Sequence, residues 1–217
     1  MTNLRKGRRR YYDIFSSVYD RFIQLHAHGE EGSTRHFLVE MAYPKDISNP
    51  YILDICCGTG AVIEACVLRY PKGLVVGYDF SHGMLRKVRE RTDARRVALV
   101  EGDAAVLPFA DESFDLVTCS HALYELKGQA RRSALQEMKR VVRPAGSVLL
   151  MEHEVPRDCV RKFFFNLRMM AMGSDDAREF VTSGLTPFRE VFPYVSLAHS
   201  QSGKSRLVTC RKEPSGR

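Results

Sequence analysis

The chain has 217 residues, of which 44% are hydrophobic and 27% are charged, and this length and composition favour one soluble domain with a large core. No apolar stretch approaches the roughly 20 residues that a membrane-spanning helix needs, and the basic N-terminus lacks the apolar stretch of a secretory signal. These features predict a cytoplasmic protein. The six cysteines have no zinc-like spacing, so no metal site is expected.

The formal net charge of +7 is concentrated in the tail at residues 1–10, which contains Arg and Lys but no acidic residue. Such a tail can attract an anionic membrane or RNA, although a short solvated arm without a specific partner is the more common case. The composition therefore allows peripheral contact with an anionic membrane and does not favour nucleic acid as a partner. It leaves the oligomeric state undetermined.

Two helices are predicted after the tail. Apolar residues recur at three- and four-residue steps over 11–28, and Gly29 ends that pattern. A second helix is predicted over about 31–43, before Pro44.

From Tyr51 onward, predicted strands alternate with predicted helices. The apolar runs are too continuous for a half-exposed sheet, which indicates strands buried on both faces. The predicted strands are YILDIC, LVVGYD, VALVEGD, FDLVTCS and GSVLLMEHE, and the predicted helices are GAVIEACVLRY, SHGMLRKVRER, QARRSALQEMKRVV, 157–172 and 175–183, with RPAG as a turn. Two final runs, VFPYVSLAHS and SRLVTCRK, predict a hairpin. The expected fold is α/β, a doubly wound, mostly parallel seven-stranded sheet with helices on both faces and a C-terminal antiparallel hairpin.

A glycine turn follows the first predicted strand. Gly58 and Gly60 precede a helix, where missing side chains let a ligand approach the backbone amides. Asp79 ends the second predicted strand about 20 residues later, where a carboxylate can bind two ribose hydroxyls. Together these residues predict a cofactor that contains adenosine.

The identity of the cofactor depends on the residue after the turn. A dinucleotide site favours Gly or Ala three residues after Gly60, but the chain has Ile63 there. S-adenosylmethionine (SAM) has no phosphate, and its methionine end could lie on the turn with Asp54 near the ammonium group. Asp103, after the third strand, could accept from the adenine amino group.

Five stretches of the chain carry a resemblance to a known family: FSSVYD at 15–20, LDICCGTG at 53–60, VVGYDFSHGMLRKVRER at 75–91, VEGDAAVLPFADESFDLVTCSHAL at 100–123 and EMKRVVRPAGSVLLMEH at 137–153. They resemble the class I SAM-dependent methyltransferases, in the ubiquinone/menaquinone C-methyltransferase-like branch. The resemblance implies a Rossmann-like fold, SAM as donor and S-adenosylhomocysteine as product. It also implies a single domain over 11–217, with N-terminal helices at 11–45 covering the cofactor and a helical lid at 155–185.

The resemblance further implies a set of cofactor residues. Gly58, Thr59 and Gly60 would line the methionine end, and Asp79 would bind the ribose. The adenine would lie between Phe80 and Met84, with Asp103 and Ala104 at its edge. Tyr12 or Tyr19 would close over the cofactor, and Ser120 would face the reaction site.

The segment after the fourth strand departs from the quinone enzymes, which carry a G-x-R-N-type stretch where this chain has HALYEL. This difference weakens the expectation of a quinone acceptor. His121, Tyr124 and Glu125 follow the fourth strand where an acceptor would bind, and His121 could act as a general base because its reference pKa is near neutrality. A histidine that only packs or faces solvent is an equally common outcome. The same alternatives hold for Glu152 and His153.

The predicted function is methyl transfer to a small apolar or amphipathic acceptor, supported by the aromatic and methionine-rich stretch at 163–172. Core packing is an equally good interpretation of that stretch. Three alternatives stay open: a phospholipid N-methyltransferase at a membrane surface, an RNA or protein methyltransferase, and a non-enzymatic SAM-binding protein. Cys56 and Cys57 are interpreted as packed thiols without chemistry.

Overall fold

The computed structural model describes residues 11–13, 16, 37–42, 47, 49–155, 158–159, 163, 175–200, 203 and 205–214. The basic tail at 1–10, Tyr19 and most of the predicted lid lie outside these residues. Residues 11–13, 16 and 37–40 are helical, within the two helices predicted there.

Strands and helices alternate through the centre of the described chain, as predicted. In chain order they are β1 (Tyr51–Ile55), α1 (Ala61–Arg69), β2 (Leu74–Asp79), α2 (His82–Arg91), β3 (Val97–Glu101), β4 (Phe114–Ser120), a 3-10 turn (Leu123–Glu125), α3 (Gln129–Val141), β5 (Val142–His153), α4 (Asp175–Thr182), α5 (Thr186–Arg189), β6 (Tyr194–His199) and β7 (Ser205–Arg211).

The seven strands form one sheet in the order β3-β2-β1-β4-β5-β7-β6. Strands β1 to β5 are parallel, while β7 runs antiparallel to both of its neighbours. The predicted fold class and its C-terminal hairpin are therefore confirmed. The strand order reverses between β1 and β4, and the carboxyl ends of strands at such a point form the usual ligand crevice of this architecture.

Helices cover both faces of the sheet because successive side chains of a buried strand point to opposite sides. On β5, Leu149 belongs to a buried cluster that includes Ile63 of α1 and Val88 of α2. The next residue, Leu150, belongs to the opposite cluster with Leu135 of α3. The sheet is thus enclosed between two apolar layers, which leaves its strand ends to carry polar groups.

The predicted turn at RPAG is wrong, because these residues lie inside β5. The pairing with β4 shifts there: Phe114 pairs with Val142, and Leu116 pairs with Ser147. The extra residues of β5 are accommodated as a bulge. A Cβ on Gly146 would lie 2.7 Å from the carbonyl oxygen of Asp115, so a glycine is needed for this close approach. The helix α5 and the 3-10 turn were not predicted.

Within the part of the chain that the structure describes, no helix is both long and apolar enough to cross a membrane.

Candidate active site

The glycine turn lies between β1 and α1, as predicted, and its conformation requires glycine. Gly58 and Gly60 have φ angles of 55° and 90°, in the region that residues with a Cβ rarely adopt. A Cβ on Gly60 would lie 3.0 Å from the side chain of Val88 in α2. A Cβ on Gly58 would meet no atom within 4 Å. Gly60 therefore allows helix packing, whereas Gly58 borders open space in which a ligand can lie against the backbone.

Asp79 connects the ends of β1 and β2 through its carboxylate. Its Oδ2 accepts a hydrogen bond from the Gly58 amide at 3.0 Å, and its Oδ1 accepts one from the Ser81 amide at 2.9 Å. Burial raises its pKa to about 6, although these backbone hydrogen bonds lower it in part. A carboxylate has about four acceptor positions, so each oxygen can still accept from a ribose hydroxyl. This geometry is compatible with the predicted ribose contact.

Asp54 lies on β1 beside the turn and is 1% exposed. Its Oδ1 accepts a hydrogen bond from the Thr118 hydroxyl of β4 at 2.7 Å. Thr118 was not predicted as a site residue, because only the pairing of β1 with β4 brings the two together. Thr59, predicted at the methionine end, is also buried. The carboxylate of Asp54 is thus held in one orientation next to the place predicted for the ammonium group.

The residues predicted around the adenine follow β2 and β3. Met84 is buried and Phe80 is half-buried at the start of α2. Asp103 Oδ1 accepts a hydrogen bond from the Ala105 amide at 3.0 Å, and Tyr78 donates to the Asp103 carbonyl oxygen. The loop that carries Asp103 and the buried Ala104 is therefore fixed to β2, and both adenine-side groups lie at the same edge of the sheet.

The N-terminal segment fastens onto this edge at two points. The Tyr12 hydroxyl lies 2.6 Å from both carboxylate oxygens of Glu125, and the Tyr12 ring packs edge-on against Phe80 with centroids 5.7 Å apart. Asp13 Oδ1 accepts hydrogen bonds from the Ser81 hydroxyl at 2.7 Å and from the Gly83 amide at 3.0 Å. These contacts hold Tyr12 against Phe80 and Glu125, at the carboxyl ends of the parallel strands. Asp13 was missed, and the local signal for it was a serine followed by a glycine at the start of α2. Glu125 was expected where an acceptor would bind, and its contact with Tyr12 was not predicted.

The two predicted catalytic residues lie together at the ends of β4 and β5. The rings of His121 and His153 have centroids 4.5 Å apart, and the Tyr124 ring lies 5.3 Å from that of His153. The Ser205 hydroxyl of β7 lies 3.4 Å from Nε2 of His121. Ser120, the last residue of β4, is half-buried next to this group. The cluster lies where β4 and β5 end, at the same edge of the sheet as the glycine turn that follows β1.

Cys57, in the turn, shows no sign of reactivity. Burial raises the pKa of Cys57 well above its ordinary value, and the carboxylates of Asp79 and Asp54 raise it further. A thiol in this environment stays protonated and is a poor nucleophile. Among the described residues, no group of three or more His, Cys, Asp or Glu side chains could hold a metal ion.

Comparisons with known proteins point to one family. Residues 52–146 match the family described as a methyltransferase domain. The chain is 38% identical over 152 residues to demethylmenaquinone methyltransferase of Lactiplantibacillus plantarum, covering 67% of this chain and 62% of that protein. It is 32% identical over 181 residues to demethylmenaquinone methyltransferase of Shouchella clausii, covering 75% of this chain and 72% of that protein.

A solved structure supports the fold. Human N-acetylserotonin methyltransferase, in complex with SAM, superposes with a TM-score of 0.65 at 18% identity, covering 92% of this chain and 59% of that chain.

The described residues fit SAM. The space beside Gly58 can take the methionine end, and Asp79 keeps acceptor capacity for the ribose hydroxyls. The sulfonium of SAM would supply a methyl group that is already activated for transfer. The chain belongs to the class I SAM-dependent methyltransferases, in the menaquinone/ubiquinone methyltransferase-like branch.

Proposed function

We propose that this chain transfers the methyl group of SAM to a ring carbon of an aromatic acceptor of the hydroquinone type. One observation carries the proposal: the imidazoles of His121 and His153 lie 4.5 Å apart at the ends of β4 and β5, the edge of the sheet where SAM is predicted to bind. The names of the two curated relatives support the acceptor class. A ring with oxygen substituents is also a small amphipathic molecule, as the sequence predicts.

The chemistry explains why a histidine is useful here. A hydroquinone ring carbon becomes nucleophilic when a ring hydroxyl loses its proton, and the carbon then attacks the methyl group as the bond from sulfur to methyl breaks. The methylated carbon must next lose its own proton to restore the aromatic ring. An imidazole with a pKa near neutrality can take up such protons. In this proposal His121 acts as the base, and Tyr124 and His153 orient it.

The HALYEL segment changes the residues around the predicted acceptor position. It leaves the residues predicted to bind SAM unchanged. Tyr124 is 6% exposed and packs near His153, while Glu125 accepts the hydroxyl of Tyr12. Tyr124 and Glu125 of this segment therefore both contact residues of the candidate site. We expect the acceptor specificity, rather than the reaction type, to differ from that of enzymes with the G-x-R-N-type stretch.

The other acceptor classes depend on segments outside the described residues. Methylation of a phospholipid amine, or of RNA or protein, was predicted from the basic tail at 1–10. No contact of the described residues favours these acceptors, so they enter as outcomes of the test.

The test supplies purified chain with SAM that carries a deuterated methyl group. The acceptors are a demethylmenaquinone analogue with a short side chain, chemically reduced or oxidised, vesicles of phosphatidylethanolamine, and bulk RNA. Mass spectrometry should find a trideuteromethyl group on a ring carbon of the reduced analogue only. Turnover on phosphatidylethanolamine or RNA, or equal turnover on the oxidised quinone, would contradict the proposal.

A further inference from the structure

Arg131 of α3 is buried between the 3-10 turn that follows β4 and the helix α4. Its Nε donates a hydrogen bond to the Leu123 carbonyl oxygen of the turn at 3.0 Å, and its Nη2 donates one to Asp176 Oδ2 of α4. The guanidinium carbon also lies 4.1 Å from the centre of the Phe180 ring in α4. One side chain therefore joins the turn after β4 to the C-terminal part of the predicted lid.

Asp176 fixes this arginine in place, because both oxygens of its carboxylate accept hydrogen bonds from α3. Oδ1 accepts from the Gly128 amide at the start of α3, at 3.3 Å, and Oδ2 accepts from Arg131. The helix α4 also packs directly against the 3-10 turn. The turn, the start of α3 and α4 thus form one connected unit around the guanidinium of Arg131.

The burial of a cation at this position indicates that its directed donors matter. A buried ion pair is often no more stabilising than apolar side chains of similar volume, because both charges lose their hydration. Arg131 is 9% exposed, and the rest of the buried face of α3 is apolar, with Ala134, Leu135 and Met138 in the core. A hydrocarbon side chain could fill the space at 131 but could not hold a carbonyl oxygen. The arginine therefore favours a role in the geometry of the turn.

The backbone that enters this turn is strained at the proposed base. His121 has a φ angle of 51°, in the left-handed region that residues with a Cβ rarely adopt. Such a conformation persists only where the surrounding structure fixes it. The His121 amide donates to the Met151 carbonyl oxygen of β5 at 2.7 Å, and Arg131 holds the carbonyl of Leu123, two residues further on. The strained residue is thus held from both sides.

We propose that Arg131 is a positioning residue for His121. It fixes the turn by holding the Leu123 carbonyl oxygen, and it is itself fixed by its ion pair with Asp176. The His121 ring is thereby kept against the His153 ring, with centroids 4.5 Å apart. This inference rests on the proposed function, which assigns the role of base to His121.

The first measurement follows the position of the His121 ring and does not use activity. Protein with isotopically labelled histidines is saturated with S-adenosylhomocysteine, and NMR detects the nuclear Overhauser effect between the ring protons of His121 and His153. The variants are Arg131→Met, Arg131→Lys and Asp176→Asn. Arg132→Met is the matched control, because Arg132 is the next residue of α3 and pairs with Glu190 at the surface.

The ring contact should be present in the wild type and in Arg132→Met, absent in Arg131→Met, and weakened in the other two variants. The second measurement is kcat on the reduced demethylmenaquinone analogue. It should fall about 10- to 100-fold in Arg131→Met, since a misplacement of about 1 Å can slow a reaction about 10²-fold. Arg131→Lys should recover part of this loss because its ammonium can still donate to Leu123 or Asp176. The affinity for S-adenosylhomocysteine should change far less than kcat.

A role in stability alone predicts a different pattern. The positioning role is overturned if folded Arg131→Met keeps the ring contact, or if it keeps the wild-type kcat on an acceptor that the wild type methylates. Loss of the contact in Arg132→Met, or its absence from the wild type, overturns it as well. If Arg131→Met does not fold, Arg131→Lys and Asp176→Asn provide the same comparison.

The two measurements separate this inference from the proposed function. A wild type that does not methylate the analogue contradicts the proposed function. Loss of the ring contact in Arg131→Met would still show that Arg131 positions His121.

Discussion

The hydroxyl of Tyr12 lies 2.6 Å from both carboxylate oxygens of Glu125, and this contact joins the N-terminal segment to the turn after β4. Since the Tyr12 ring also packs against Phe80 at the start of α2, one side chain contacts elements on both sides of the point where the strand order reverses. We infer that this contact closes the cofactor site.

Tyr12→Phe should weaken binding of SAM because it removes this contact and keeps the ring. We expect a loss of about 3- to 10-fold, corresponding to roughly 1 kcal/mol for one partly exposed hydrogen bond. Calorimetry measures the affinity, and the thermal midpoint should stay within a few degrees of that of the wild type. The exposed neighbour provides a control: Tyr11→Phe should bind SAM normally. Equal affinity in the two variants would refute the closing role.

Gly83→Ala should displace the N-terminal segment. The added Cβ would lie 2.7 Å from the Asp13 carbonyl oxygen and 2.7 Å from the Ser16 hydroxyl oxygen, so the segment must move away from α2. We expect faster proteolysis near residues 11–16 and weaker SAM binding, with the sheet intact by circular dichroism. Asp13→Asn, which weakens the same attachment without a clash, should change both measurements in the same direction and by less. Unchanged proteolysis in both variants would contradict this attachment.

The two glycines of the turn should respond differently to alanine. Gly60→Ala should lower the free energy of unfolding by about 1–3 kcal/mol, because its φ is 90° and its Cβ would press on Val88. Gly58→Ala should cost less stability, since its Cβ would meet no protein atom within 4 Å.

The same Cβ at position 58 would occupy the space predicted for the methionine end, so Gly58→Ala should reduce SAM affinity more than tenfold. Urea unfolding and calorimetry on both variants measure the two effects. Normal SAM binding by Gly58→Ala would place the cofactor elsewhere.

The pKa of Asp79 should make cofactor binding depend on pH. Burial raises this pKa to about 6, and the ionised carboxylate accepts ribose hydroxyls better than the neutral acid. The affinity for S-adenosylhomocysteine should therefore fall as the pH drops through 6. Calorimetry from pH 5 to pH 8 should show this change in the wild type, while Asp79→Asn should bind weakly with a flat profile. A flat wild-type profile would argue against the ribose contact.

The ligand-free stability should change in the opposite direction. The folded pKa of Asp79 lies above its ordinary value of 3.8, so the folded state binds the proton more tightly than the unfolded state does. The stability that this proton binding contributes is fully present below about pH 3.8 and is lost as the pH rises through about 6. The loss is on the order of a few kcal/mol. Without ligand, Asp79→Asn should lose less stability than the wild type between pH 4 and pH 7, as measured by urea unfolding.

His121→Ala should lower kcat if His121 is the base. General-base catalysis is typically worth about 10²- to 10⁴-fold, and the affinity for SAM should stay normal. His199→Ala, which removes a half-exposed histidine of β6, is the control and should keep full activity. Unchanged kcat at saturating acceptor would show that another group takes the proton.

The sequence by itself determined the order of strands and helices and the positions of the glycine turn and of Asp79 at neighbouring strand ends. Buried apolar runs such as LVVGYD mark parallel strands, because only strands covered on both faces are apolar throughout. The glycine turn and Asp79 could be predicted because each lies at the end of a strand that the local sequence already indicates. The turn predicted at RPAG failed, since the bulge in β5 depends on the register with β4, which a single strand does not encode.

Only the tertiary structure decided which distant residues meet. Tyr12 and Glu125 are 113 residues apart in the chain, and Asp54 and Thr118 are 64 apart. No periodicity of the sequence relates such pairs, since their contact follows from strand order and from how the N-terminal segment packs. The ion pair of Arg131 with Asp176, 45 residues apart, likewise depends on how α4 packs against the 3-10 turn. Local pattern determines the elements, whereas long-range pairing decides which polar groups share a site.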